Sequence, residues 1–269
     1  MDMSKAKWQG NWLVEWVAET GSTNADLLAG VSLDVPHRYV LNAAHQTAGR
    51  GRLGRQWEAP PGSNLLVSIL FRDVAGPLHR VTQHLGLAAA MVLRENYGLN
   101  AGLKWPNDVV VTRADGVGAG DDVKIAGILA QMAIGNDDTS QKGTVNVVVG
   151  MGLNVRWAPP VEVAYATCVA DEMLVAHAQP GDVPEPGDIL QHILQKFDVI
   201  EGLAERESFE LYRQYLRTLG KTVRCQMPDG NDIVGRALDV GVDGRLEVLD
   251  DCAITHRIDT ADVIHLRPA

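Results

Sequence analysis

The stretch Gly49-Arg50-Gly51-Arg52-Leu53-Gly54-Arg55-Gln56-Trp57 combines three arginines, three glycines and a tryptophan within nine residues. Glycine lets the backbone adopt left-handed conformations and approach a ligand closely. Arginine supplies permanently charged, forked donors for phosphate or carboxylate groups, and tryptophan offers a flat apolar face. This arginine segment predicts a loop that closes over a phosphorylated ligand. The alternative is a solvated basic loop or one that contacts RNA.

The composition confines this basic character to one segment. The 269-residue chain has 24 Lys+Arg against 34 Asp+Glu, a net charge of −10, which argues against a general nucleic-acid-binding or membrane-binding surface. The polar N-terminus lacks the apolar core of a signal peptide, and the three separated cysteines form no metal-binding pair. We therefore expect a cytoplasmic protein that binds no specific nucleic acid and no membrane.

The hydrophobic pattern on both sides of the arginine segment predicts an α+β fold. Strand patterns occur at residues 12–17, 39–44, 64–71, 109–111, 124–134 and 144–149. Helical spacing of apolar residues occurs at 81–97, 189–200 and 208–219. Because strands follow one another with few crossover helices, we expect a mixed or antiparallel sheet flanked by helices.

The pattern changes after Gly220. Five short strand patterns, at 222–226, 233–240, 245–249, 253–258 and 263–266, are separated by turn sequences such as Pro-Asp-Gly-Asn. These residues predict a small all-β, barrel-like domain at 220–269 that follows a larger domain at 1–219.

Three further motifs carry polar chemistry: Ser22-Thr23-Asn24, Lys104-Trp105-Pro106-Asn107-Asp108 and Lys124-Ile125-Ala126-Gly127-Ile128-Leu129. The first motif predicts a helix start, because Thr23 and Asp26 have the spacing of a capping box. Its side chains either only cap that helix or point outward and hold a polar ligand.

The charged groups of the other two motifs suit chemistry at a phosphate. Asp108 can help to hold Mg²⁺, or it can cap the turn that contains it. Lys124 can stabilise a carboxylate that attacks phosphorus without acting as a base, the alternative being a surface charge at a strand end. Trp105 is expected in the core rather than against a ligand. Together with the arginine segment, these groups supply what adenylate formation requires.

In this combination and order, the motifs resemble those of the biotin–protein ligases. That family has a Gly-Arg-Gly-Arg-x-Gly-Arg loop followed by tryptophan, a Lys-Trp-Pro-Asn-Asp block and a Lys-[Leu/Ile]-Ala-Gly-Ile-Leu strand. Gln46 and the turn Gly150-x-Gly152-x-Asn154 also match. The resemblance covers residues 12–266, more weakly in the final part. It implies a class II synthetase-like catalytic domain at 1–219 and a small SH3-like β-barrel at 220–269.

The resemblance implies a two-step reaction with Mg-ATP. Biotin and ATP give biotinyl-5′-AMP and pyrophosphate, and biotin then passes to one lysine of the biotin carboxyl carrier domain of a carboxylase. The implied catalytic residues are Lys124 and Arg52, with Lys124 bridging the biotin carboxyl group and the α-phosphate. The implied biotin-binding residues are Ser22, Thr23, Asn24, Gln46, Gly49, Arg50, Arg52, Lys124 and Gly127. The implied nucleotide-binding residues are Arg52, Arg55, Trp57, Asn107, Asp108, Lys124 and Asn154, with Asp108 as the candidate Mg²⁺ ligand.

Two other functions remain open at this stage. A lipoate–protein ligase resembles this family in fold and chemistry, although the full arginine loop favours biotin. A non-catalytic RNA-binding protein would use the arginines differently, and the acidic net charge speaks against it. Some biotin–protein ligases carry an N-terminal DNA-binding domain. Because the Ser-Thr-Asn motif begins at residue 22, we expect a short form without that domain and without repressor function.

Overall fold

The computed structural model describes residues 3–33, 35–113, 121–133, 144–160, 165–176 and 179–266. The strands of the first sheet are β1 Lys7–Gln9, β2 Trp12–Thr20, β3 Tyr39–Gln46, β4 Leu65–Ala75, β5 Ala101–Lys104, β6 Asp108–Thr112, β7 Asp122–Ala133 and β8 Thr144–Leu153. The α-helices are α1 Thr23–Gly30, α2 His79–Glu95, α3 Val169–Val175, α4 Pro186–Glu201 and α5 Glu205–Tyr215. None of the helices described is both long and apolar enough to cross a membrane.

The eight strands form one sheet in the order β1-β2-β3-β4-β8-β7-β6-β5. The pair β2–β3 is parallel and the other pairs are antiparallel. The expected mixed sheet flanked by helices is therefore confirmed. The pair is parallel because α1 and the chain after it return the polypeptide to the end of the sheet at which β2 begins, so β3 runs in the same direction as β2.

The two faces of this sheet pack against different helices. Side chains alternate between faces along a strand, so neighbouring residues of β4 enter separate cores. Ile69 belongs to the large core under α2 and α4, whereas Leu70 packs in a smaller cluster with Leu27 of α1. In the large core, the ring of Phe197 lies 5.4 Å from that of Trp12, edge to face.

A second, antiparallel sheet follows the last helix. It contains β9 Thr222–Gln226, β10 Asp232–Val240, β11 Leu246–Asp250, β12 Thr255–Ile258 and β13 Asp262–His265, in the order β12-β11-β10-β9-β13. All five strand patterns beyond Gly220 thus correspond to strands. The buried side chains of this sheet are continuous with the large core. The domain division at residue 220 and the closure of the sheet into an SH3-like barrel remain predictions.

Local features differ from the sequence predictions in three places. The N-cap of α1 is Ser22, whose hydroxyl accepts from the amide of Ala25, so the Thr23–Asp26 capping box is wrong. Asp26 instead accepts a hydrogen bond from the Thr20 hydroxyl at 2.5 Å. The sequence patterns missed β1 and α3, because three and seven residues are too few to show a period. The sequence predicts a flexible surface connection at 113–122 and a polar, hairpin-like gap at 135–143. Residues 114–120 and 135–143 lie outside the described residues.

His84 makes the fold sensitive to acid. It is buried in α2 beside Phe197, and burial, followed by the charge of Arg80, lowers its pKa from 6.5 to about 4. Between these values the unfolded chain binds a proton that the folded chain excludes, so stability falls as the pH decreases. We expect this group to cost roughly 3 kcal/mol of unfolding free energy between pH 6.5 and pH 4.

Chemical denaturation of the wild type and of His84→Leu at pH 7, 5.5 and 4.5 measures this contribution. The variant should lose stability less steeply over that range. The pKa values of His37, His79 and His265 are lowered in both proteins. These groups therefore give both proteins a shared decrease of unfolding free energy with falling pH. Identical slopes for the two proteins would contradict the role of His84.

Candidate active site

A cavity of about 720 Å³ lies beside the middle strands of the first sheet, and residues of the second sheet complete its wall. This volume is typical of small-molecule sites. The predicted site residues that line it are Ser22, Thr23, Asn24, Gln46, Arg50, Arg52, Arg55, Trp57, Asn107, Asp108, Lys124, Gly127 and Asn154. Gly49 is the exception. It lies at the base of the arginine segment, where its carbonyl accepts from the Trp57 amide at 3.0 Å.

One end of the cavity is polar and uncharged. The amide of Thr23 and its hydroxyl donate to Gln46 Oε1 at 2.8 and 3.1 Å. Ser68 joins the hydroxyl of Thr23, at 2.6 Å, to Oδ1 of Asn24, also at 2.6 Å. The Asn24 amide nitrogen donates to Gln131 Oε1 at 2.9 Å. These side chains fix one another's orientation, so donors and acceptors are held in place beside the cavity.

Ser68 and Gln131 belong to this network, and the sequence analysis missed both. Ser68 is fully buried within the apolar strand β4. The sequence did offer a signal for Ser68, namely a hydroxyl within an apolar strand, because a buried polar group needs a hydrogen-bonding partner. Gln131 gave no comparable signal, since a glutamine near the end of a strand is ordinarily solvated.

The network is expected to contribute to stability as well as to recognition. Ser68→Ala removes the hydroxyl that links Thr23 to Asn24 and leaves their buried oxygens short of a partner. We expect the free energy of unfolding to fall by about 1–3 kcal/mol in chemical denaturation. The matched control is Ser32→Ala, because the Ser32 hydroxyl donates only to an exposed carbonyl at 3.1 Å. A loss of unfolding free energy no larger than that of the control would show that the Ser68 hydroxyl does not stabilise the network.

Another part of the cavity is charged. Lys124 Nζ lies 2.6 Å from Asp108 Oδ1. The pairing of β6 and β7 places Lys124 opposite Val110, two residues from Asp108, and Gly127 opposite Asp108 itself. The ammonium group also lies 5.4 Å from the centre of the Trp57 ring. A Cβ atom on Gly127 would come within 3.0 Å of both Lys124 Nζ and the Trp57 ring. Glycine at this position therefore provides the space in which lysine and tryptophan meet.

Trp57 forms a flat wall between two glycines. A Cβ atom on Gly152 would overlap its indole, so the ring lies directly against the backbone of β8. The indole Nε1 is buried and has no hydrogen-bonding partner among the residues described. An unsatisfied buried donor is costly, and its position at a cavity wall suits a ligand acceptor.

The arginine segment folds back along the cavity. An antiparallel bridge joins Arg50 to Gln56, and a 3-10 turn from Arg52 to Gly54 forms its tip. The Arg52 guanidinium donates to Asn107 Oδ1 at 3.1 Å. Burial lowers the pKa of Arg52, and the nearby charge of Asp262 partly offsets this effect. The guanidinium is nevertheless a permanent cation at neutral pH.

Two of the predicted nucleotide-binding amides are occupied by local hydrogen bonds. Asn107 Nδ2 donates to the Ile128 carbonyl at 2.8 Å. Asn154, which is buried, donates to the Thr167 carbonyl at 3.0 Å and accepts from Asn64 at 3.2 Å. These contacts hold the backbone at the cavity wall. A direct role of either amide in nucleotide binding remains a prediction.

Lys104 is a second cavity lysine to which the sequence analysis assigned no role. Burial lowers the pKa of its ammonium group, despite the carboxylate of Asp108 nearby. Within the described part of the chain, no carboxylate lies within 4.0 Å of it. Its neighbour Trp105 is buried as expected, and the indole donates to the Gly244 carbonyl at 2.9 Å. Lys104 therefore adds a cation to the charged part of the cavity.

No group of three or more metal-ligating side chains occurs among the described residues. Mg²⁺ that arrives with a nucleotide needs only one or two protein carboxylates, because phosphate oxygens and water complete its coordination. Asp108 lines the cavity and fits this limited requirement. The metal itself remains a prediction.

The cavity thus presents ordered neutral donors and acceptors in one part and lysines, arginines and a carboxylate in another. Such a site suits an elongated substrate with an uncharged polar head and a carboxylate tail, placed next to the phosphates of a nucleotide. This arrangement is that of an enzyme that activates a carboxylic acid.

Comparison with known proteins identifies the family. Residues 20–154 match the model of the biotin/lipoate A/B protein ligase family. The chain is 36% identical over 265 residues to a biotin–[acetyl-CoA-carboxylase] ligase of Mycobacterium tuberculosis, covering 93% of this chain and 88% of the relative. It is 27% identical to the bifunctional ligase/repressor BirA of Bacillus subtilis, over 79% of this chain and 62% of that protein. The chain therefore belongs to the biotin/lipoate A/B protein ligase family.

A solved structure supports the fold independently. The biotin protein ligase from Aquifex aeolicus in complex with biotin and ATP superposes with a TM-score of 0.72 and 22% identity, over 94% of this chain and 99% of that one. At this level of identity the likeness concerns the fold.

Proposed function

We propose that this protein is a biotin–protein ligase. It activates biotin with Mg-ATP and transfers it to a lysine of a biotin carboxyl carrier domain. The curated relatives over most of the chain, including the one from Mycobacterium tuberculosis, are ligases of this kind. The observation that carries the proposal is the pairing, in one cavity, of the neutral network around Asn24 with the cationic group around Lys124.

In the first step, the carboxylate of biotin attacks the α-phosphorus of ATP. A P–O bond forms, the bond to the β-phosphate oxygen breaks, and pyrophosphate leaves. Lys124 and Arg52 stabilise the negative charge that accumulates at the reacting phosphorus. Because Lys124 pairs with Asp108 at 2.6 Å, its ammonium group is held in place before the substrates bind.

In the second step, the amine of the carrier lysine attacks the acyl carbon of biotinyl-5′-AMP. A new amide bond forms and AMP leaves. The carrier is the biotin carboxyl carrier domain of a biotin-dependent carboxylase, as the name of the acetyl-CoA-carboxylase ligase relative suggests.

The neutral end of the cavity suits the ureido ring of biotin. This ring offers one carbonyl acceptor and two N–H donors, and hydroxyl and amide side chains complement both kinds of group. Thr23, Asn24 and Gln46 would bind it, with Ser22 holding the start of α1 in place. Arg50, Gly127 and Asn154 shape the wall, while Arg55, Trp57 and Asn107 contribute to nucleotide binding. Mg²⁺ would neutralise phosphate charge beside Asp108.

The RNA-binding alternative fits the geometry less well. Arg52 is only 17% exposed, and all three arginines of the segment line the cavity, although Arg50 and Arg55 are also exposed to solvent. Nothing in the site favours lipoate, whose dithiolane ring lacks the ureido donors that the neutral network complements.

A binding measurement and an activity measurement test the assignment. Titration calorimetry should show binding of biotin and no competition by lipoate. Addition of ATP and Mg²⁺ to the biotin complex should release pyrophosphate, and lipoate should not replace biotin in that reaction. Tight lipoate binding with no biotin binding would overturn the assignment. So would a steeply salt-dependent RNA affinity without biotin-dependent pyrophosphate release.

A further inference from the structure

The arginine segment contacts the second sheet through a short run of residues, Thr260-Ala261-Asp262. Arg52 Nη2 donates to the Thr260 hydroxyl at 2.8 Å, and Nη1 donates to the Ala261 carbonyl at 3.3 Å. Arg55 Nη2 donates to Asp262 Oδ1 at 2.9 Å. Arg52 and Arg55 therefore both donate to one three-residue run that lies more than 200 positions later in the chain.

This run is fixed to the fold. Asp262 begins β13, and its register places it opposite Gln226 of β9. Ala261 is buried in the core. Asp262 is 27% exposed and lines the cavity together with the next two residues of β13. Arg52 thus contacts the loop that leads into β13, and Arg55 contacts the first residue of that strand, at the edge of the second sheet.

The contacts fix Arg52 without exhausting its donors. A guanidinium has five N–H groups, and the three acceptors Asn107, Thr260 and Ala261 engage only its two terminal nitrogens. Nε, and any terminal N–H that these three leave over, stay available for a phosphate oxygen in the cavity. A cation that is already oriented loses less conformational freedom when it binds an anion, which favours affinity.

We propose that Thr260 and Asp262 are positioning residues, which hold Arg52 and Arg55 at the cavity so that they are oriented for the phosphates of the nucleotide. This role rests on the proposed ligase function and assigns the second sheet a part in nucleotide binding. Thr260 orients the more buried arginine, and Asp262 holds the exposed one, Arg55, with its carboxylate. Neither residue contacts the reacting atoms.

Limited trypsin digestion of the full-length protein, without biotin or ATP, tests the contact itself. The double variant Thr260→Val with Asp262→Asn should be cleaved after Arg52 and Arg55 roughly tenfold faster than the wild type, because these side chains lose their hydrogen-bonded partners. Among single variants, Asp262→Asn should be cleaved faster than the wild type. Asp262→Glu keeps the carboxylate and should be cleaved slowly again. Asp259→Asn is the matched control, since Asp259 is 78% exposed and faces Arg245 at 3.8 Å.

Steady-state kinetics test the consequence for nucleotide binding. The double variant should show a roughly tenfold higher KM for ATP, with an unchanged Kd for biotin and a smaller change in kcat. An unchanged or lower KM for ATP, together with faster cleavage, would overturn the positioning role while leaving the ligase function intact. Unchanged cleavage would overturn the contact. Absence of biotin-dependent pyrophosphate release in the wild type would instead refute the proposed function, and the digestion result would still stand.

Discussion

Replacing Lys124 by alanine is expected to lower the rate of biotin-dependent pyrophosphate release by about 100-fold to 1,000-fold. The ammonium group lies 2.6 Å from Asp108 in the cavity, and it also lies beside the ring of Trp57. Its removal takes charge stabilisation from the phosphorus centre and leaves Asp108 without its counterion. Rapid-quench measurement of pyrophosphate in the first turnover isolates this step from transfer to the carrier.

Lys196→Ala is the matched control for this variant. Lys196 pairs with Glu95 at 2.5 Å between two helices, away from the cavity. Loss of a partly exposed ion pair costs little, so its rate should equal that of the wild type. A wild-type rate for Lys124→Ala would refute the catalytic assignment of this lysine.

The second large effect is expected for Gly152→Ala. The added Cβ atom would overlap the Trp57 indole, which packs against the backbone at this position. Because the backbone of β8 lies inside the sheet, the ring must give way, and the flat wall of the cavity is lost. We expect the affinity for ATP to fall at least tenfold and the unfolding free energy to fall by about 1–3 kcal/mol.

A second substitution distinguishes this overlap from a general defect. Trp57→Phe in the Gly152→Ala background introduces a smaller ring and should recover part of the lost stability. Gly181→Ala is the matched control, because a Cβ atom there would meet nothing within 4 Å. If Gly152→Ala binds ATP as the wild type does, Trp57 does not form the wall.

The parts of the site that could be predicted from the sequence are those whose chemistry is contiguous along the chain. The arginine segment, the Lys104–Asp108 block and the Lys124–Leu129 strand each carry distinctive residues at fixed spacing. The last two motifs converge because β6 and β7 are neighbours in the sheet, whereas the arginine segment follows β3 and reaches the same cavity across β4 and β8. The fold class followed from strand patterns long enough to show a period.

The parts that could not be predicted depend on contacts between distant residues. The partners of Arg52 at 260 and 261 lie in the loop before β13, and no local pattern relates residue 52 to residue 260. Ser22 rather than Thr23 caps α1, because the Thr23 hydroxyl is held by Gln46 and Ser68. The importance of Lys104 became visible only in the structure, where it is buried in the cavity with no carboxylate of the described residues within 4.0 Å.

The central claim is that this protein forms an amide bond between biotin and a carrier lysine. The most direct measurement is the mass of a biotin carboxyl carrier domain after incubation with the protein, biotin and Mg-ATP. The predicted result is a mass increase equal to one biotin less one water, located on a single lysine and absent when ATP is omitted. An unchanged carrier mass, in the presence of biotin-dependent pyrophosphate release, would contradict the transfer step, and an unchanged mass without that release would contradict the whole account.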